Sequence, residues 1–485
     1  MCRRAGVALA LALMVAPAPV RAQGVDADLQ AARRAFEDGQ FERSVSLLTS
    51  VIQSGEARGE ALGQAYWNRA ITHVALGDKA KAFPDFEMFT ALTPADADGP
   101  AMLVELGVEL RRYPDAAAAL ATLFDLAPGR VRDRRGDVVE IVRAQQLKGE
   151  WAQADALLRR YAIVDDEDPA INVARARTAA ALGRRQEALD LIRRSASQHN
   201  LALVRADKAF APLWDDPAFA AATDITALFE RDLEQAEAGV RAEPDRLFRI
   251  VLRMSALWRL GRFDEAIRLG EQSLASDVSR FVDHDYREAQ MHEQLARSLA
   301  MKGDLPAAER AFRTGIERLA DKSETVVTLM MSAGQFLAAT AGKYREALDL
   351  ADRASRLAQL IYGTGIGDSV RALAYWGLRQ DANLNRIVVQ AEKNMSGSQS
   401  IAIDLYLLLG RTDDAASLVA KQLADPARAD TMLVGLQRYT RNRPAAGAVE
   451  KVIEKGWDAL RAHPAVIAAL SAAGRITDVA AANRF

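Results

Sequence analysis

Residues Ala65 to Asp96 read AYWNRAITHVALGDKAKAFPDFEMFTALTPAD, and this stretch decides the fold. Two helical segments flank a turn at Leu76-Gly77, and a proline, Pro94, ends the second segment. Ala70 and Ala82 fall where the two helices would cross, and a methyl side chain lets helix backbones approach closely. Gly77 can adopt a left-handed conformation that closes the first helix, and Pro94 cannot extend the second. The stretch therefore specifies an antiparallel helical hairpin.

The unit recurs. Ala82 to Ala116, Pro94 to Pro128, Gly149 to Gly183 and Ala154 to Ala188 are each separated by 34 residues. Weaker copies read DGQFERSV around Gly39, KGEWAQAD around Gly149, LGRRQEAL around Gly183, LGRFDEAI around Gly261, KGDLPAAE around Gly303, AGKYREAL around Gly342 and LGRTDDAA around Gly410. A helix-turn-helix with a 34-residue period resembles the tetratricopeptide repeat (TPR), whose hairpins stack to bury a continuous core. The resemblance implies an all-α chain: a right-handed α-solenoid of TPR-like hairpins, in two blocks joined by an irregular capping segment.

The boundaries follow from where this pattern starts and breaks. Residues 1–22 have the basic start (Arg3, Arg4), short apolar run (Val7 to Val15) and small-residue site (Val20-Arg21-Ala22) of a secretory signal peptide cut before Gln23. Residues 23–197 form the first TPR block. Residues 198–224 form an irregular cap in which Leu213, Pro217 and Phe219 turn apolar side chains inward. Residues 225–360 form a second block, and residues 361–485 carry degenerate repeats with a similar cap at Leu460, Pro464 and Val466. Each cap is expected to cover the end of a block, where a hairpin has no next neighbour.

Composition narrows the function classes. The only cysteine, Cys2, lies in the segment expected to be removed and precedes the apolar run, which speaks against disulfides, a thiolate metal site or a lipid anchor in the mature chain. Losing Arg3, Arg4 and Arg21 changes the formal charge from −2 to −5, so no basic excess recruits nucleic acid. The segment Val326 to Ala341 is interrupted by Thr328, Ser332, Gly334 and Gln335 and reads as the first helix of a repeat, not as a membrane span. The expected location is a bacterial periplasm.

Catalytic and cofactor signals are weak throughout. His284, Glu288 and His292 share one helical stripe, but the outer pair stand about 12 Å apart along the axis, too far for one metal ion. GTGIG, residues 363–367, lacks the Gly-Lys-Ser/Thr ending of a phosphate loop, and no G-x-S-x-G elbow is present. Soluble lytic transglycosylases also carry long periplasmic superhelices, but a lysozyme-like domain follows theirs, whereas short helical patterns fill this chain after Leu418. No enzyme, cofactor or metal is expected.

The resemblance implies a partner held in the groove lined by the first helix of each hairpin. Asn68 matches the asparagine that, in chaperone-binding TPRs, helps clamp a peptide carboxylate. Leu29, Arg33, Asp98 and Met102 fall on other clamp positions and do not match, so that mode is not expected. Along successive first helices the equivalent position carries Arg33, Ile71, Glu105, Arg143, Arg177, Ser255 and Arg297, four arginines in seven, with Trp67 and Trp258 on the same helices. Guanidinium forks bind carboxylates bidentately. The expected partner is a protein or extended peptide, acidic in character, or an anionic polysaccharide. The alternative is a periplasmic part of polysaccharide-secretion or surface-receptor machinery, in which TPR segments precede an outer-membrane barrel.

Overall fold

A computed structural model describes residues 23–275, 277–321, 323–359, 367–393, 399–440 and 447–479. The expected signal peptide, residues 1–22, and residues 360–366 around the YGTGIG loop lie outside the described residues. By internal contacts the chain divides between Asp166 and Glu167, so the Gly149 and Gly183 hairpins, read from the sequence as one block, fall in different units.

The first unit is a stack of helical hairpins: α1 (Gln23–Glu37) with α2 (Phe41–Ser54), α3 (Gly59–Ala75) with α4 (Lys79–Leu92), and α5 (Asp98–Glu109) with α6 (Tyr113–Leu126). A short α7 (Pro128–Arg132) leads into α8 (Arg135–Leu147) and α9 (Trp151–Val164). Ala70, Ala82, Ala116 and Ala154 are fully buried, as close helix crossings require. At Gly107 an added Cβ would lie 2.8 Å from Ala116 Cβ, so the α5–α6 crossing also depends on a small residue.

The turns show why glycine marks the repeat. Gly39, Gly77, Gly149, Gly183, Gly261, Gly303, Gly342 and Gly410 all have φ between 71° and 87°. Two further hairpin turns place an arginine in the same region, Arg111 at 59° and Arg379 at 58°. These turns carry no glycine signal and cost their backbone some strain.

The second unit begins with α10 (Pro169–Ala181), whose N-cap Asp168 accepts from Ala170 N and Ile171 N at 2.9 and 3.0 Å. It continues through α11 (Arg185–Arg194), α12 (Gln198–Ala206), a 3-10 segment at Lys208–Leu213, α13 (Pro217–Ala222), α14 (Ile225–Ala242), α15 (Leu247–Arg259), α16 (Phe263–Ala275), α17 (His284–Met301), α18 (Leu305–Arg318) and α19 (Ser323–Phe336). A π turn at Leu337–Ala341 extends α19, as read for Val326 to Ala341. Then come α20 (Tyr344–Gln359), α21 (Asp368–Gly377), α22 (Asp381–Lys393), α23 (Gln399–Leu408), α24 (Thr412–Leu423), α25 (Ala429–Gly435), α26 (Ala448–Ala462) and α27 (Pro464–Ala473). Two-residue strands, β1 (Arg438–Tyr439) and β2 (Asp478–Val479), pair in parallel. Among the described residues no helix is long and apolar enough to cross a membrane.

This unit closes on itself. Helix α12 packs on α25, and the start of α26 packs on the π turn. The two segments read from the sequence as separate caps share one core, with Leu213, Phe219, Leu460 and Val466 all buried in it. Lys208 Nζ donates to Ser471 O at 2.8 Å, and Arg475 N donates to Ala206 O at 2.9 Å. Gly447 lies so close to Ala339 O that a Cβ there would sit 1.8 Å away. The expectation that each cap covers the end of a block is therefore corrected: the structure instead places the apolar side chains of both in one core, with Lys208–Ser471 and Arg475–Ala206 bonds joining the two regions.

Candidate partner-binding faces

Of the nine residues singled out from the sequence, six lie in the first unit and three, Arg177, Trp258 and Arg297, in the second. In the first unit, Arg33 is half-buried and its Nε donates to Glu37 one turn along, at 2.9 Å. Ile71 is half-buried. Glu105 is exposed and accepts from Arg134 Nη1 and Nη2, both at 3.3 Å. Arg134 also reaches Asp137 at 3.2 Å, and burial holds that carboxyl above its ordinary range in spite of the guanidinium. Asn68 is half-buried, and its Oδ1 is enclosed without a hydrogen-bond partner among the described residues. The Trp67 ring stands edge-on to Phe86 at 5.2 Å and tilts on Phe89 at 4.8 Å, so it belongs to the aromatic packing of its own hairpin.

Two of the four arginines in the row are sealed. Arg143 is 4% exposed and Arg177 is 1% exposed, so neither is a groove-lining cation open to a partner. Arg177 Nε donates to Asp207 Oδ2 at 2.7 Å, and its Nη2 donates to Asp430 Oδ2 at 2.8 Å. Burial works to lower the Arg177 pKa, but the two carboxylates outweigh it and hold the group above its ordinary value. For Arg177 the physical reason for the burial is the closure of the second unit: the segment after α12 brings Asp207, and α25 brings Asp430, onto the first-helix face of α10.

Farther along the second unit, Trp258 and Arg297 are brought together, with the guanidinium 5.7 Å from the indole centroid. Arg297 also lies 3.8 Å from Glu293. Such a contact on a half-exposed face is worth about 0.5–1 kcal/mol and needs no ligand to explain it. In the histidine stripe His284 and Glu288 are bonded within the chain. His284 Nδ1 bonds Phe281 O at 2.9 Å, and Glu288 accepts from Arg318 Nε at 2.6 Å. His292 is buried, with its Nε2 3.9 Å from Glu288.

One site was missed by sequence reading. A cleft of about 780 Å³ opens between α18, α19 and α20, with Phe312, Ile316, Phe336 and Leu350 among its apolar lining. The signal that could have found it is the charge order along α18 and α20, where residues four apart alternate in sign.

No family model and no curated protein sequence matches the chain. Solved structures that align with it include the P58(IPK) TPR domain, at 14% identity and a TM-score of 0.23, over 80% of this chain and 99% of that one. A chain of the Naa15/Naa10 complex bound to HypK-THB aligns at 14% identity and 0.27, over 82% and 68%. Yeast Tom70 aligns at 11% identity and 0.33, over 92% and 99%. Scores of this size say nothing of what the chain binds. The 34-residue hairpins, the left-handed turn glycines and the buried crossing alanines make its architecture TPR-like.

Proposed function

We propose that the protein is a non-catalytic scaffold, exported to the periplasm, that holds a protein or extended peptide along the first helices of residues 23–166. The observation that carries this reading is that Arg33, Ile71 and Glu105, at the equivalent position of three successive first helices, are accessible, whereas Arg143 and Arg177 on the next two are sealed. The first unit carries 23 Asp and Glu against 17 Lys and Arg between residues 23 and 166. Its field therefore favours a neutral or basic partner, and burial of Arg143 and Arg177 takes two of the four row arginines out of reach of an anionic peptide or glycan.

A photoreactive amino acid at Ile71 tests the reading directly. Partner adducts should form at Ile71 and should be absent when the same probe replaces Ser471 in the second unit. Adducts only from the second position would overturn it. N-terminal sequencing of exported material tests the location: it should begin at Gln23, and intact Met1 in the cytosol would contradict export.

A further inference from the structure

The cleft between α18 and α20 lies in the second unit and holds none of the residues assigned above to the first-helix face of residues 23–166. Its lining is mainly apolar, and Phe312 packs on Phe336 at 5.6 Å between ring centroids. Leu337 lies in both the cleft and the π turn, a feature that recurs at functional positions in helices. A volume of about 780 Å³ has room for several apolar side chains.

The walls carry a pattern. On α18 the cleft residues Glu309, Arg313 and Glu317 recur every four positions with alternating sign. On α20, Arg345, Asp349 and Arg353 do the same with opposite phase, and Glu346, beside Arg345, adds a carboxylate that lies 3.8 Å from Lys343. Each triplet spans about 12 Å, two helical turns. Glu309 is engaged by Arg313 at 2.6 Å and by Lys343 at 2.7 Å. Arg345, Asp349, Arg353 and Glu317 have no ion pair among the described residues, so the α20 wall presents its charges to solvent.

We propose that this cleft docks an amphipathic helix of a partner protein, with an apolar stripe on the Phe312–Phe336 floor and alternating charges along both edges that complement the two walls. Charge complementarity selects this occupant. A small amphiphile with one anionic head could satisfy Arg345 or Arg353 only by facing Asp349 one turn away, and a uniformly charged helix would be repelled at the middle of one wall. A helix with acidic, basic and acidic residues four apart meets Arg345, Asp349 and Arg353 in turn, which is helix-in-groove recognition with an electrostatic code.

The test uses a designed 18-residue peptide with a leucine stripe, one edge ordered Glu-Lys-Glu and the other Lys-Glu-Lys at four-residue spacing, titrated into residues 23–485 by fluorescence anisotropy. The peptide should bind and Asp349→Arg should weaken it at least tenfold. Replacing the central Lys of the Glu-Lys-Glu edge by Glu should restore binding to the variant. Circular dichroism reports whether the variant folds, and Leu350→Glu, which changes the floor and leaves the code intact, should abolish binding of both peptides. No binding to wild type, or equal binding of both peptides to wild type and Asp349→Arg, overturns the proposal. So does dodecanoate binding at Leu350 without peptide binding, which would make the cleft a small-amphiphile site.

Discussion

Replacing Arg177 by methionine should unfold part of the second unit. The guanidinium side chain is 2% exposed and the Asp207 side chain 3%, so the substitution would remove the 2.7 Å guanidinium partner of a carboxylate in a dry site, while the 2.9 Å bond from Ala209 N stays. Asp430, 28% exposed on its side chain, is partly solvated and would suffer less. Removing one partner of a buried ion pair costs about 3–5 kcal/mol, most of it from the charge left behind. The triple variant Arg177→Met, Asp207→Asn, Asp430→Asn should lose less than the single one despite changing three residues, because no buried charge remains and the amide oxygen at position 207 can still accept from Ala209 N. Urea-dependent hydrogen exchange is the assay, since it reads α10 and α25 separately from the first unit. A single variant within about 1 kcal/mol of wild type would refute the reasoning. So would a triple variant less stable than the single one.

Other positions give sharper local tests. Arg379→Gly should raise stability by about 0.5–1 kcal/mol, because glycine relieves the left-handed turn at φ 58° and offsets part of that gain through its own chain entropy; thermal unfolding checks the sign. Ala82→Leu and Gly107→Ala should each cost about 1–3 kcal/mol by overpacking, and unchanged denaturation midpoints would show that these helices do not cross where the structure puts them. Burial pushes the His292 pKa below its ordinary value of 6.5, with Glu288 opposing and Arg318 adding to the shift. The unfolded chain then takes up the proton first, so this residue makes stability fall as pH drops below 6.5. His292→Gln should flatten the melting temperature between pH 7.5 and pH 5, and an unaltered slope would rule the residue out.

The hairpins were readable because their causes are local. A left-handed turn wants glycine and a close crossing wants alanine, so Gly77 with Ala70 and Ala82 announces a hairpin within a few residues. Arg111 and Arg379 escaped that reading because each takes the glycine conformation with a side chain that carries no turn signal. The closure escaped for a different reason. Asp430 lies 253 residues beyond Arg177, and nothing around either residue states that they meet. Position in the repeat correctly put Arg177 on a first helix, but it could not say what later segment would cover that face. The Leu213–Phe219 and Leu460–Val466 segments were read as apolar covers, and their side chains are buried, while nothing near either segment states that both enter one core.

The most direct test of this account is whether the two ends of the second unit meet. Cysteines at Lys208 and Ser471, in a chain beginning at Gln23 and so free of Cys2, should be joined by a short bis-maleimide in high yield, as the 2.8 Å contact between these residues requires. The cross-linked protein should keep its helical circular dichroism. A pair that reacts with monofunctional maleimide at both sites yet never cross-links would mean that the unit is open, that the face of α10 is accessible, and that the assignment of partner binding to residues 23–166 has lost its basis.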